Sequence, residues 1–533
     1  MSTSRTLSPL LAGAAALALV LAIPSCDCNG GPPDEDGGQD AGGDGGGGGG
    51  DGGGGVVTDG GPTTQVLEFH GGPSRSGLYI DPAMTRASVG GTAFHRDTTF
   101  NGALTGDVYA QPLYFEDPSG PDLVIVATEL NTVYALSAVD GSVVWQRSLP
   151  AAVVSSTLPC GNISPSHGIT GTPAIDAAGR ALYLSAMVNV GGQAHQQAFG
   201  LSLDDGANLP GWPVDMNVSA RAGTITFPNN VQGARSAVSL MGGRAYFPYG
   251  GLAGDCGAYR GWVVGIPTAN PGSVTAWTTR AAMSGIWAVG GLASDGASLY
   301  AATGNGPWGS SYGDQESVIR LGAGPTFSQQ NQDFWRPTNW ASLDQSDTDI
   351  SGSGPVLVDL PGSTPSQLIV QLGKDGNAYL LNRNSLGGDG AQIGQLHIAS
   401  NSIIQAAAVY RTSQGTYVAV SANGTGCPAG ATGQGLIGVK VSPGSPPTLS
   451  IAWCAVSPGR SSPIVTTTDG SSESIVWTVG NFDGRLRGFN GDTGQLLYTS
   501  TDVMSGLHSF MAPILAKGRI FIAGDDRVYA YTR

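Results

Sequence analysis

Six residues in the second half of the chain carry its clearest metal-binding pattern. Residues 347–352 have the sequence Asp-Thr-Asp-Ile-Ser-Gly, which places the side-chain oxygens of Asp347, Asp349 and Ser351 at alternate positions before a glycine. A calcium-binding loop begins in this way. The bidentate glutamate expected at the twelfth position is missing, because Val358 stands there. The segment is a weak calcium candidate, and the alternative is a turn that leads into a strand.

The sequence offers little other recognisable catalytic chemistry. It has no HExxH, CxxC, GxSxG or P-loop pattern, so zinc proteolysis, thiol exchange, serine hydrolysis and nucleotide hydrolysis have no support. Only Lys374, Lys440 and Lys517 are lysines, which leaves few candidates for a Schiff base. The net charge of −15 disfavours nucleic acid and anionic lipid surfaces as partners.

A repeated element must position any site in this chain. Glycine contributes 85 of the 533 residues and charged residues only 12%, which favours short strands and tight turns over long surface helices. Apolar runs with small residues or proline recur 50 to 64 residues apart. They are AQPLYF from Ala110, GTPAID from Gly171, RSAVSL from Arg235, VGGLAS from Val289, SGPVLV from Ser353, AAAVYR from Ala406, SSPIVT from Ser461 and MAPILA from Met511.

Further β-rich runs follow each of these, and about eight four-stranded units are typical of a β-propeller, an all-β fold. The small residues suit innermost strands, which crowd toward the axis. The Asp140-Gly141 turn predicts a hairpin, and we expect Trp145 to pack its blade against the next one. The last unit has three strands, so a strand within residues 92–99 is expected to complete it. That gives eight blades, and seven is the alternative.

In a propeller, the loops that lead into the innermost strands share one face with those joining second and third strands. Ligands usually bind there. The residues just before the inner strands therefore form a candidate axial-mouth ligand site, which would be a polar pocket: Asp107, His167, Arg235, Trp287, Asp349, Arg460 and His508. The alternative for each residue is a solvated or hydrogen-bonded loop position.

Several segments resemble the PQQ-like β-propeller repeats of quinoproteins. Residues 134–145 and 489–498 are similar to the tryptophan-docking repeat, with Tyr498 replacing tryptophan in the second. The resemblance covers roughly residues 65–533 and implies a propeller fold. Its other segments are HGGPSRSGL from His70, HGITGTPAID from His167, IWAVGGLASDG from Ile286, LYAATGNG from Leu299 and GKDGNAYLLNRNSLGG from Gly373.

For the dehydrogenases of that family, the resemblance would imply bound pyrroloquinoline quinone (PQQ). The quinone stacks on a tryptophan floor and, in many members, against a disulfide of adjacent cysteines, with calcium held by carboxylates and an aspartate base. This chain has no adjacent cysteine pair. We therefore expect no cofactor, and PQQ with calcium is the alternative.

The N-terminus resembles a bacterial lipoprotein signal. Arg5 precedes a 14-residue apolar run at positions 10–23, which suits a signal peptide better than a membrane span. The following Ile-Pro-Ser-Cys at positions 23–26 resembles a lipobox. We expect residues 1–25 to be removed and Cys26 to be acylated, which anchors the protein to the periplasmic face or cell surface of a Gram-negative envelope. The alternative is secretory cleavage with Cys26 unmodified.

The segment after Cys26 differs sharply in composition. Residues 26–62 are rich in glycine and aspartate and contain few apolar side chains, so we expect a disordered tether before a propeller at residues 63–533. A flexible coil of that kind, about 33 residues long, would reach about 30–35 Å.

Export also permits disulfides. Cys427 follows a second strand and Cys454 ends the outer strand of the same unit, so both lie on one face and are predicted to pair. Cys160 and Cys256 lie on that face in different blades and form the second predicted pair, which leaves Cys28 over.

These observations favour an envelope-anchored lipoprotein whose propeller is a non-enzymatic binding or scaffold module. Its partner would be an unknown envelope protein or small ligand, and we expect a monomer. The alternative is a PQQ-dependent (quinoprotein) dehydrogenase or another propeller enzyme. A full set of calcium ligands with a stacking floor at the axial mouth would distinguish the two.

Overall fold

Eight antiparallel sheets of four principal strands surround one axis, which confirms the predicted β-propeller and its eight blades. The computed structural model describes residues 61–431 and 433–533. The predicted signal peptide, Cys26, Cys28 and nearly all of the predicted tether lie outside the described residues.

The blades are numbered I to VIII along the chain, and the strands of each blade are numbered 1 to 4 from the axis outward. Blade I consists of Leu113–Phe115, Leu123–Ala127, Thr132–Ser137 and Val143–Ser148, and blade II of Ala174–Asp176, Ala181–Val190, Gln193–Ser202 and Val214–Asp215. Blade III consists of Ser239–Met241, Arg244–Gly251, Trp262–Pro267 and Thr275–Thr278, and blade IV of Ala293–Ser294, Leu299–Thr303, Ser317–Leu321 and Phe334–Arg336. Blade V consists of Val356–Asp359, Gln367–Leu372, Asn377–Asn382 and Gly394–His397, and blade VI of Ala407–Thr412, Gly415–Val420, Gly435–Ser442 and Thr448–Val456. Blade VII consists of Ile464–Thr467, Ile475–Gly480, Arg485–Asn490 and Leu496–Thr499, and blade VIII of Ile514–Ala516, Arg519–Gly524, Arg527–Thr532 and His95–Arg96.

Smaller elements decorate the blades. The additional strands are Leu78–Ile80, Gly102–Ala103, Val153–Val154, Ser166–His167, Arg221–Ala222, Ile225–Thr226, Gln232–Gly233 and Gly388–Asp389. The helices of the described residues are Arg86–Val89, Met216–Ser219 and Trp340–Gln345, with 3₁₀ turns at Phe69–Gly71, Ser155–Thr157 and Asn331–Asp333. Within residues 61–431 and 433–533, no helix has the length and apolar character needed to span a membrane.

An N-terminal strand completes the last blade, as the sequence predicted. His95–Arg96 pairs antiparallel with strand 3 of blade VIII, with His95 opposite Thr532 and Arg96 opposite Tyr531. The outer edge of that strand is thereby paired, so the ring closes through main-chain hydrogen bonds between the two ends of the propeller.

Outer tryptophans hold neighbouring blades together, as predicted for Trp145. Its indole Nε1 donates a hydrogen bond of 2.7 Å to the carbonyl oxygen of Leu203 in blade II. Trp453 repeats the contact between blades VI and VII, where Nε1 donates to the carbonyl of Gly491 at 2.9 Å. These tryptophans therefore serve packing between blades.

The sequence did not predict that residues 63–81, here termed the belt, line the inner side of the ring. Leu78–Ile80 pairs in parallel with strand 1 of blade VII. Elsewhere belt carbonyls accept hydrogen bonds from strand 1 amides, which supplies partners that inner strand edges would otherwise lack. The donors, from blades I, II, IV, V, VI and VII in turn, are Tyr114, Ile175, Ser294, Leu357, Val409 and Val465.

The belt also contacts blades III and VIII. The side chain of Glu68 accepts from the amide of Leu240 in blade III at 3.2 Å. The carbonyl of Thr63 accepts from the amide of Lys517, in the turn between strands 1 and 2 of blade VIII, at 3.2 Å. The belt thus touches all eight blades.

A buried ion pair fixes the middle of the belt. Arg75, which is 1% exposed, pairs with Glu68 at 3.1 Å and donates to the carbonyl of Leu292 and the hydroxyl of Ser239. Removing one partner of a buried ion pair typically costs about 3–5 kcal/mol, because the other charge is left without compensation.

Successive N-terminal truncations should separate the roles of tether, belt and closing strand. Deleting residues 29–61 should leave the melting temperature nearly unchanged. Deleting through residue 81 removes the belt and should lower the melting temperature, while deletion through Thr99 also removes the closing strand and should cause aggregation. Thermal melting with light scattering measures both effects. Identical melting of all three truncations would contradict the roles given to the belt and the closing strand.

Candidate functional site

The candidate site is a depression at the axis on the face where the chain enters strand 1 of each blade, here termed the mouth face. The depression, termed the cup, measures about 540 Å³ including the space open to solvent. Its wall combines loops from several blades and includes Tyr109, His167, Thr170, Arg235, Trp287, Val289 and Phe510.

The belt closes the cup from below. Phe69 of the belt is 1% exposed and belongs to one apolar cluster with Val289 and Phe510, both of which line the cup. The cup is therefore backed by the belt near the axis, and its shape depends on the belt's position.

Three of the seven predicted mouth residues meet in the cup: His167, Arg235 and Trp287. The guanidinium carbon of Arg235 lies 4.3 Å from the ring centroid of Phe510 and 5.8 Å from that of Trp287. Such contacts orient a cation against aromatic faces. The cup therefore presents one positive charge in an aromatic setting.

Two buried polar atoms in the cup wall have no hydrogen-bond partner. They are Nδ1 of His167 and Nε1 of Trp287, whose residues are 7% and 8% exposed. Burial lowers the pKa of His167 to about 4, so the imidazole is neutral at pH 7. Leaving a buried polar group unsatisfied costs about 1–3 kcal/mol, which a ligand offering a complementary group would recover.

Glu129 lies behind the cup wall and was missed by the sequence analysis. Burial raises the pKa of Glu129 to about 7. Its carboxylate accepts from the amide of Gly168 at 2.6 Å and from the hydroxyl of Thr170 at 2.7 Å. Glu129 thereby links the loop after strand 2 of blade I to the loop that enters blade II.

Two further predicted residues, Asp107 and His508, lie beside the cup. His508 stacks on Tyr109 with ring centroids 4.0 Å apart, and its Nε2 is 2.7 Å from the carboxylate of Asp525. Burial and the neighbouring charge of Asp525 raise the pKa of Asp107. The two residues form a polar patch between blades VIII and I.

Asp349 and the predicted calcium loop lie under the mouth near Trp287. Lys374 is 2.6 Å from the carboxylate of Asp349 and 3.1 Å from that of Asp347. Asp349 also accepts from the amide of Asn305 at 2.7 Å. The lysine ammonium thus compensates the two carboxylates that calcium would need. Across the described ranges, no three His, Cys, Asp or Glu side chains are arranged to hold a metal ion.

More acidic groups surround this lysine. Glu316 is fully buried; one oxygen accepts from the amide of Ile350 at 2.9 Å, and the other, Oε1, has no hydrogen-bond partner. Burial and the charge of Asp349 raise the pKa of Glu316 well above its usual value. Burial also raises the pKa of Asp344 to about 6, and burial with the charge of Asp349 raises the pKa of Asp347 to about 7. At pH 7 the carboxyl of Asp347 is therefore about half protonated, whereas that of Asp344 is mostly ionised.

Arg460, the last predicted mouth residue, lines a second depression between blades VI and VII. The sequence placed it correctly before strand 1 of blade VII, but the loop leads its side chain away from the cup. The single predicted ring of seven residues is therefore divided among the cup, its two flanks and this second depression.

Both predicted disulfides are present and both lie on the mouth face. Cys160 and Cys256 have Cα atoms 6.0 Å apart and join the loop entering blade II to a loop of blade III. Cys427 and Cys454, with Cα atoms 5.8 Å apart, join a loop and the outer strand of blade VI. Covalent links therefore fix loops on the face that carries the candidate site.

Comparison with known proteins identifies the fold. Neither the protein-family models nor the curated proteins give a match. Among solved structures, the quinohemoprotein alcohol dehydrogenase of Comamonas testosteroni is similar, with a TM-score of 0.62 and 14% identity over 89% of this chain and 81% of that one. Quinohemoprotein alcohol dehydrogenase ADHIIG of Pseudomonas putida HK5 has a TM-score of 0.62 and 14% identity, over 88% and 80%.

A europium-containing methanol dehydrogenase is similar as well, with a TM-score of 0.56 and 14% identity over 86% of this chain and 89% of that one. At such identities the comparison shows a shared fold, the PQQ-like propeller. Activity has to be argued from the residues of this chain.

The acid cluster around Lys374 should make stability depend on pH. The folded state raises the pKa values of the carboxyl groups of Asp344 and Asp347, so these groups contribute their full stabilisation below pH about 4. That contribution is lost as the pH rises through about 6 to 7. In the Glu316→Gln variant this side chain cannot ionise, and its remaining oxygen can still accept a hydrogen bond from the Ile350 amide. Burial raises the pKa of Glu316, so its charged form is disfavoured in the folded state, and we expect this variant to be more stable than wild type at pH 8, with a smaller difference at pH 5.

Urea denaturation at both pH values measures this difference. Asp389→Asn is the control, because Arg336 lowers the pKa of this carboxyl, so its removal should not stabilise the protein at pH 8. A Glu316→Gln variant less stable than wild type at pH 8 would show that the carboxylate is favourable when charged.

Proposed function

We propose that this PQQ-like propeller is a non-enzymatic binding or scaffold module of the cell envelope, with the mouth face as its binding face. One observation carries the proposal: Glu129, Asp344 and Asp349, three acidic side chains around the cup, hydrogen-bond atoms of neighbouring loops. Glu129 accepts from Gly168 and Thr170, and Asp344 accepts from the amide of Gly306 and from Gln315. Asp349 is engaged by Asn305 and Lys374.

The cup itself supports binding of a small ligand. Arg235 provides a positive charge, Trp287 and Phe510 provide flat apolar surface, and His167 and Trp287 hold the unsatisfied polar atoms. A planar molecule with one anionic group would satisfy these features. The partner could equally be a protein segment that inserts such a group, as a scaffold function requires.

The residues around the cup do not fit PQQ, which carries three acidic groups and would need several converging cations. Of the four predicted basic residues, Arg235 alone is a cation in the cup. His167 is neutral at pH 7, His508 is held by Asp525, and Arg460 lies in the second depression. The cysteines are joined across loops and supply no disulfide of adjacent residues.

One observation favours the alternative, a quinoprotein dehydrogenase. Trp287 and Asp349 approach the same backbone position at Gly304, where an added Cβ would lie 2.4 Å from a carboxylate oxygen of Asp349 and 2.8 Å from the indole of Trp287. An aromatic floor and an acid are therefore neighbours, as they are in that family. The carboxylate already has Lys374 as its partner, which weakens this alternative.

Reconstitution with PQQ and calcium distinguishes the two functions. We expect no stoichiometric quinone absorbance after gel filtration and no dye-linked oxidation of alcohols or sugars, because the cup lacks the charges that hold the cofactor. Any weak quinone absorbance or oxidation rate is compared with that of the Arg235→Gln variant, which is the matched control. Stoichiometric binding with turnover would place the protein among the dehydrogenases and overturn the scaffold proposal.

With Cys26 acylated, the tether would join the propeller on the face opposite the mouth. The belt begins at Thr63, which contacts the turn between strands 1 and 2 of blade VIII, on the face opposite the mouth. A chain that connects an anchor at Cys26 to Thr63 therefore approaches the propeller from that opposite face. Both the cup and the second depression would be open to the aqueous compartment.

Cell fractionation tests the anchor. Cys26→Ser should move the protein from the membrane fraction to the soluble fraction, because no acyl chain can be attached. Cys28→Ser is the matched control and should stay with the membrane. If wild type and Cys26→Ser are equally soluble, the protein is exported without a lipid anchor.

A further inference from the structure

The second depression, here termed the groove, lies between blades VI and VII on the mouth face. It measures about 810 Å³ including the space open to solvent, and shares no lining residue with the cup. Its lining is Asn401, Ser421, Ala422, Asn423, Gln434, Gly435, Val456, Ser457, Pro458, Gly459, Arg460 and Phe482. The groove is a separate candidate site that the sequence analysis did not identify.

The walls of the groove are fixed by covalent and steric constraints. The Cys427–Cys454 disulfide fastens the loop between strands 2 and 3 of blade VI to strand 4 of that blade. At Gly435 an added Cβ would lie 2.1 Å from the carbonyl oxygen of Ser457, so only glycine permits this approach of the two chain segments. A preformed groove loses less conformational entropy when it binds a ligand.

Exposed apolar side chains mark the rim of the groove. Val456 and Phe482 are each 48% exposed. They belong to a wider pattern, since eight of the twelve large apolar side chains exposed in the described ranges lie on the mouth face: Leu130, Val154, Val190, Val218, Trp308, Val456, Phe482 and Val503. Concentration of exposed apolar residues on one face is typical of an interaction surface.

The groove also has a distinct electrostatic and hydrogen-bonding character. Arg460 is the only charged residue in its lining, and the remaining polar lining consists of amides and hydroxyls. Within the groove, Arg460 is therefore the group that attracts an acidic side chain of a ligand.

We propose that the groove binds an extended segment of a partner protein, with an aromatic or aliphatic side chain between Phe482 and Val456 and a carboxylate at Arg460. The amides of Asn401, Asn423 and Gln434 suit the main chain of an extended peptide, which exposes a donor and an acceptor at each residue. This inference rests on the proposed function, because it assumes that the mouth face is the binding face.

A polypeptide fits the surroundings better than a membrane does. An anionic bilayer is bound by a broad basic surface, whereas Arg460 is the single charged side chain in the lining of the groove. A groove with a single cation and amide-rich walls is suited to a narrow chain with defined donors and acceptors.

A displayed library of random twelve-residue peptides tests the proposal on the disulfide-bonded protein. Selection at 0.15 M salt limits long-range repulsion, because charges are screened beyond about 8 Å. We expect selected peptides to combine an apolar side chain with Asp or Glu. Their affinity should fall at least tenfold for Phe482→Ser and for Arg460→Gln.

Val503→Ser is the matched control: it removes an exposed valine of the same face outside the groove and should leave the affinity unchanged. All variants are first compared by thermal melting, and Phe482→Ser, an exposed loop change, provides the decisive comparison if Arg460→Gln is unstable. The proposal would be overturned if no peptide is selected, or if the selected peptides bind Phe482→Ser with the same affinity as wild type.

Two other outcomes would overturn the proposal that the groove binds a peptide, but they differ in what they mean for the proposed function. Peptides that lose affinity with Arg235→Gln instead would place binding in the cup and leave the mouth face as the binding face. Binding to vesicles with 30% anionic lipid that depends on Phe482 would make the groove a lipid contact. The proposed non-enzymatic role is tested separately by PQQ reconstitution.

Discussion

The inner edges of the innermost strands set the main constraint on this structure. Each blade turns one strand edge toward the axis, and backbone amides there need hydrogen-bond partners. The belt supplies them: Ser294, Leu357 and Val409 donate to successive belt carbonyls from three consecutive blades. Blades that pack mainly against their neighbours thereby gain a common element at the axis.

The belt also determines what the mouth face can do. Phe69 packs in one apolar cluster with Val289 and Phe510, two residues of the cup wall, so the belt backs that part of the wall. Around it, carboxylates such as Glu129 hold one loop to the next, and two disulfides fix loops from both sides of the ring. These contacts give the mouth face a fixed shape.

The sequence predicts the repeating part of this architecture well. All eight apolar runs overlap strand 1 of a blade, because small residues before a short β run recur at a nearly constant interval. The closing strand followed from the missing fourth strand of blade VIII, and both disulfides followed from the shared face of their cysteines. The propeller period carries this information, since it determines which loops lie on the same face.

Other features could not be predicted because they depend on the path of the chain in space. The belt segment HGGPSRSGL lacks an alternating apolar pattern, since main-chain hydrogen bonds and the polar contacts of Arg75, rather than a row of apolar side chains, join it to the blades. Strand Gln193–Ser202 is rich in polar residues and was not recognised. Arg460 has the predicted place in its repeat, but the direction of its side chain depends on the local loop. Glu129 gives no sequence signal, because its raised pKa results from burial.

Hydrogen exchange of the strand 1 amides measures the central claim, that the belt is an integral part of the ring. The decisive donors are Ile175, Ser294, Leu357, Val409 and Val465, whose partners are belt carbonyls. The account predicts that these amides, and the belt peptide itself, exchange as slowly as the amides of the second strands, because opening them requires disruption of the core. Exchange of these amides at the rate of exposed loops, with the second strands still protected, would contradict it.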